Sequence, residues 1–134
     1  MTDRTPNIPE VVEEVRALFE SYEQALIDKN VDVLDNTFWR SPHTIRLANA
    51  EHGYGFDRIH AHRVARPPGP GTKERRLRLD ILTLGRDFAV VTLVFKVRGK
   101  EQTGRQMQTW VRFPDEGWKV VAAHVSAINE EPKH

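Results

Sequence analysis

The sequence predicts an α+β fold, with three N-terminal helices packed on a curled antiparallel sheet. Three observations carry that expectation. Apolar side chains in the first half recur at spacings of three and four, as on one face of a helix. The second half changes to alternation, in four long runs separated by short Gly- or Pro-containing turns. Helices first and strands last put the helices on one face of an antiparallel sheet, and strands of this length must twist and curl.

The chain has 134 residues, enough for one domain over 1–134, with residues 1–7 as a loose tail. Pro9 suits the first turn of a helix. Val12, Val15, Leu18, Phe19, Tyr22, Ala25 and Leu26 then form one stripe to about Lys29, while Glu13, Glu14, Glu20 and Glu23 form a solvated face. A shorter helix is expected at Asp32–Phe38. "HTIRL" (43–47) reads as a strand entered from Pro42, and "EHGYG" (51–55) as a short strand or turn. "FDRIHAHRVARPPG" (56–69) reads as a third helix stopped by its prolines, which lack the amide donor. Four strands follow at 75–84, 88–97, 101–113 and 118–129, an antiparallel meander.

Composition narrows the function. There is no cysteine, which excludes disulfides and zinc–thiolate sites. His60 and His62 diverge on a helix, and no conventional zinc spacing exists. No apolar run reaches the roughly 18–20 residues that span a membrane, and no signal peptide is seen, so a soluble cytoplasmic protein is the expectation. Net charge is +1, but residues 1–36 hold three Lys/Arg against nine Asp/Glu and residues 37–86 hold ten against four. An electropositive middle third in a near-neutral chain suits a small anionic ligand better than a nucleic acid. No Gly-x-Ser-x-Gly turn, phosphate-binding loop or carboxylate dyad is present.

The stretches "FWRSPHTIR" (38–46), "FDRIHAHRVARPPG" (56–69), "GRDFAVVTLVF" (85–95) and "GRQMQTWVRFPDEGWKVVAAHVS" (104–126) cover nearly the whole chain. Together they resemble the NTF2-like superfamily, and within it the small DUF3225-type family that accompanies amidase-signature hydrolases in cyanuric acid and oxalurate catabolism. The resemblance implies a cone of sheet and helices around an internal pocket. It also implies a homodimer, a functional link to such a hydrolase, and no cofactor.

Particular residues stand out. Phe56, Ile59, Arg63 and Arg66 share a helix face, so both arginines are expected at the pocket mouth, where a planar guanidinium pairs with a carboxylate. The alternative is that their stems pack while their heads reach solvent. Arg46 lies within an apolar strand and needs a counter-charge: either Glu51 across the turn, or an anionic substrate. Tyr22 is a core tyrosine by pattern, whereas the resemblance makes it a pocket acid or base. Gln106, Gln108 and Trp110 share one strand face, which is pocket lining for a urea-like amide or a dimer face. His124 falls on a face with Trp118 and Val120, as a core residue or a proton carrier beside Gln108. Trp39 is a pocket cap or ordinary core.

The resemblance implies loss of one N-carboxyl group from 1,3-dicarboxyurea to give allophanate, with Tyr22 and Arg46 catalytic and Trp39, Glu51, Arg63, Arg66, Gln106, Gln108, Trp110 and His124 around the substrate. A non-catalytic anion-binding accessory to the hydrolase is the other reading.

Overall fold

In the computed structural model, which describes residues 3–129 and residue 133, helix α1 spans Pro9–Asp28. Proline stands in its first turn, where a missing amide hydrogen costs nothing. Lys29 closes it in a left-handed conformation, its N–H bonded to the Ala25 carbonyl. The buried stripe is Val11, Val15, Phe19, Tyr22, Glu23 and Ala25. It shares Val15, Phe19, Tyr22 and Ala25 with the predicted one and differs at its edges: Leu18 is 39% exposed and Glu23, expected on the solvated face, is 1% exposed. Helix α2 (Val31–Thr37) starts one residue earlier than expected, where the Asn30 side chain accepts from the Val33 N–H.

Strands β1 (Ile45–Ala48) and β2 (Glu51–Tyr54) form a hairpin, and α3 covers Phe56–Ala65. Helix α3 stops there because Arg66 precedes Pro67, which forces it into extended backbone. A single 3₁₀ turn (Lys73–Arg75) leads into β3 (Arg76–Leu84), β4 (Phe88–Lys96), β5 (Thr103–Phe113) and β6 (Gly117–Ile128). These four form the predicted meander, in one curled, unclosed sheet ordered β2-β1-β6-β5-β4-β3. The sheet is mixed rather than wholly antiparallel, because β1 runs parallel to β6. That pair is not consecutive in sequence, so no turn dictates its direction.

Phe19, Phe38, Ile59, Leu93 and Trp110 fill the space between helices and sheet, each at 1% exposure or less. The described part of the expected tail is not loose. Pro6 bridges Leu84, the Asn7 N–H donates to the Thr83 carbonyl at 3.0 Å, and the Asn7 side chain accepts from the Thr83 N–H.

The pairing of β5 with β6 contains a bulge. Thr109 faces Ala122 but Trp110 faces Val120, leaving Val121 as an extra residue. Val120 is buried before it; Ala123 is buried after it, and His124 is exposed. The second half of β6 is thus turned over relative to strict alternation.

Gly53 sits where α3 meets the hairpin. A β-carbon there would lie 2.8 Å from Ile59 Cγ1 and 3.1 Å from the Arg46 carbonyl oxygen. Ile59 is buried and the carbonyl belongs to β1, so neither can yield freely. Gly53→Ala is expected to destabilise the fold by roughly 1–3 kcal/mol, read as a lowered midpoint in urea denaturation.

Candidate functional site

Helices α1, α2 and α3, strands β1, β4, β5 and β6, and the segment from Arg66 to Arg75 line a cavity of about 220 Å³. This is smaller than the roughly 300–1,000 Å³ of pockets for drug-sized molecules. Its walls are chemically unequal. Leu26, Leu34, Phe95 and Val125 are apolar. The loop contributes Pro67, Gly69, Pro70 and Gly71, pinned to α1 by a 3.0 Å bond from the Gly69 N–H to the Leu26 carbonyl.

The remaining walls are strongly cationic. Lys29, Arg46, Arg63, Arg66 and Arg75 all line the cavity, with Glu23 as the carboxylate among them. Two further carboxylates hold the arginines from behind. Arg46 Nη1 donates to Glu51 Oε1 at 3.2 Å, and Arg66 Nη2 donates to the same oxygen at 2.5 Å. Arg63 Nη1 donates to Asp35 Oδ1 at 3.1 Å, while His60 Nδ1 lies 2.6 Å from Asp35 Oδ2. Arg75 donates to the carbonyls of Lys96 and Gly71. Five cations thus line the cavity beside one lining carboxylate, with Glu51 and Asp35 behind them.

Arg63 is the most deeply placed of them. It is 3% exposed, so it lies inside the protein rather than at the mouth. Its guanidinium carbon stands 4.2 Å from the centroid of the Phe38 ring. Burial pushes its pKa below the ordinary arginine value; the charge of Arg46 adds to this, while Tyr22 and the bond to Asp35 oppose it. An arginine starts so far above neutrality that it remains charged. Its Nη2 is buried and has no hydrogen-bond partner among the described residues.

Tyr22 lines the cavity from α1, 2% exposed, with its ring 6.0 Å from that of Phe38. Gln106 lines it from β5. Gln108 and Trp110 share its strand face but lie in the core, where the indole donates to Gln108 Oε1 at 3.2 Å. Two predicted residues are elsewhere. His124 is exposed on the outer face of the sheet, paired with Met107, because the bulge reverses its side. Trp39 follows the buried Phe38 in extended backbone, so it points the other way and stacks on Phe113 at 5.1 Å. Glu23, Lys29, Arg75 and the Pro/Gly loop were not predicted. For Glu23 a signal existed, since it stands four residues after Phe19 and three before Leu26, on the apolar stripe. Among the described residues no group of three or more His, Asp or Glu side chains is placed to hold a metal ion.

A family model described as AtzH-like matches residues 4–131. A cystatin-like fold protein from Burkholderia xenovorans LB400 is 40% identical, with 96% of this chain and 99% of that chain covered and a TM-score of 0.88. A protein of unknown function of the DUF3225 family, from Pectobacterium atrosepticum SCRI1043, is 43% identical over 92% and 94% of the two chains, with a TM-score of 0.84. An NTF2-like superfamily protein from Salmonella enterica serovar Typhimurium LT2 shares 24% identity over 92% and 94%, with a TM-score of 0.66, and shows the same fold. No curated protein matches the chain.

The Asp35–Arg63 pair is buried on both sides, at 6% and 2% side-chain exposure. Asp35→Asn leaves the Arg63 charge uncompensated and is expected to cost about 3–5 kcal/mol in urea denaturation. Adding Arg63→Met to Asp35→Asn should recover much of that loss, while abolishing anion binding in the cavity.

Proposed function

The chain belongs to the AtzH-like family, and from that premise we propose that its cavity removes one N-carboxyl group from a small carboxylated urea, converting 1,3-dicarboxyurea to allophanate. The observation that carries the reading is the concentration of cationic side chains around a small, partly open cavity that also holds a tyrosine. A ligand there must be small, and five lining cations against one lining carboxylate favour an anion.

In this reading Arg46 and Arg63 hold the carboxylate that is retained. Arg63 has the unpartnered Nη2 to offer, and Arg46 is held on one side only, by Glu51. The C–N bond to the other carboxyl group breaks, and that group leaves as CO2. The electron pair stays on the urea nitrogen, with charge spread onto the urea carbonyl. The arginines and the Gln106 amide stabilise that charge as it develops. The nitrogen takes one proton, and the Tyr22 hydroxyl is the donor, replenished from solvent. The dianion plus one proton thus becomes monoanionic allophanate and CO2, and no external oxidant or reductant is required.

The test follows allophanate formation from 1,3-dicarboxyurea released in situ by an amide-hydrolysing enzyme. The wild-type chain alone should accelerate the step. Tyr22→Phe should lower kcat by about a hundredfold or more, the scale of one general acid. Arg46→Ala should lower kcat/KM by at least a similar factor. Each variant must keep its wild-type melting transition. An unaccelerated reaction with wild type sinks the catalytic reading; retained binding of the dianion would then leave an anion-binding accessory to the hydrolase.

A further inference from the structure

The carboxylate of Glu23 is the least expected group in the cavity wall. The residue is 1% exposed, in a helix otherwise lined with acids that face solvent. Its two oxygens have different surroundings. Oε1 accepts from the Thr72 hydroxyl and lies 3.6 Å from Arg76 Nη2. Oε2 is buried and has no hydrogen-bond partner among the described residues. A buried carboxylate oxygen without a donor is costly, and the cost falls when a ligand brings one. The same cavity holds the opposite vacancy in hydrogen bonding, the Arg63 Nη2 donor, with no acceptor among the described residues.

Two residues that line one small cavity thus keep a buried acceptor and a buried donor without partners among the described residues, and together they describe a ligand that carries an anion at one point and an N–H at another. A plain dicarboxylate satisfies Arg63 and leaves Glu23 worse off, since it adds negative charge beside a carboxylate without donating to it. A ureido anion satisfies both. We propose that Glu23 is the specificity residue of the cavity: it accepts the ureido N–H of the ligand and selects N-carboxylated ureas against carbon isosteres of the same shape and charge. This deepens the proposed function and rests on its reading of the cavity as the site of a ureido anion. Thr72 and Arg76 are positioning residues, because they occupy Oε1 and leave Oε2 for the ligand.

The experiment compares matched pairs. Hydantoate and levulinate are stable monoanions that differ by replacement of the ureido NH2 and NH with CH3 and CH2. Ligand-observed NMR titration of the wild-type chain should show hydantoate binding roughly 10- to 100-fold more tightly, the scale of a hydrogen bond to a charged group. Glu23→Gln puts an amide near the ligand N–H and should erase that preference. The loss should fall on hydantoate, with levulinate unchanged or tighter because a negative charge is gone. The dianions give the kinetic arm: Glu23→Gln should raise KM for 1,3-dicarboxyurea while leaving inhibition by 3-oxoglutarate unchanged or stronger.

Equal affinity for hydantoate and levulinate in the wild type overturns the inference, whatever the variant does, and so does binding of neither. A preference that survives in folded Glu23→Gln assigns the N–H to another acceptor and also overturns it. A Glu23-dependent preference without turnover of 1,3-dicarboxyurea upholds this inference and removes the catalytic reading alone.

Discussion

The buried charge of Arg63 is the constraint around which the helical layer is arranged. A guanidinium with 2% of its side chain exposed must be compensated locally. Asp35 supplies the carboxylate from α2, and Phe38, immediately after that helix, supplies a ring face. The same Phe38 packs on Tyr22 of α1 and bridges Val120 of β6. One cation thereby links α3 to α2, α1 and the sheet. Its remaining donor stays within the cavity wall, so the contacts that close the core also charge the pocket.

A second set of contacts operates on the other side of the same space. Glu51 accepts from Arg46 of β1 and from Arg66 just beyond α3, tying the hairpin to the loop that follows the helix. Gly53 permits the close approach that this requires. Arg76 binds Glu20 through two hydrogen bonds, at 3.0 and 2.5 Å, and fastens β3 to α1. Ion pairs join each helix to a distant segment, and the ones nearest the cavity leave it with more cations than carboxylates.

Much of this was legible in the sequence, and the failures have physical causes. Period and punctuation located the three α-helices and the four strands of the meander, and the 56–69 stretch announced its arginines by their spacing from Phe56 and Ile59. The Arg46–Glu51 pair followed from an arginine inside an apolar strand. Alternation failed for His124 because a bulge changes the phase of a strand without marking the sequence. The stripe of α1 keeps Val15, Phe19, Tyr22 and Ala25 but buries Val11 and Glu23 in place of Val12 and Leu18, and reading every glutamate of the helix as solvated hides Glu23 among the surface acids. The Pro/Gly run was read only as a helix stop. That it doubles as a cavity wall depends on a long-range bond from Gly69 to Leu26, which no local pattern encodes.

Val121 makes β6 a ribbon with two differently oriented halves. Were Val121 paired in regular alternation instead of bulged, the distal half would be inverted. His124 would enter the helical side, and Ala123 and Val125 would face outward. An imidazole would then occupy the level of Gln106 and Gln108, on the side of the sheet that holds the cavity. The chemical character of the interior is therefore set by the phase of the strand as well as by residue identity, and regular pairing at this point would rewrite it while leaving every side chain in the strand the same.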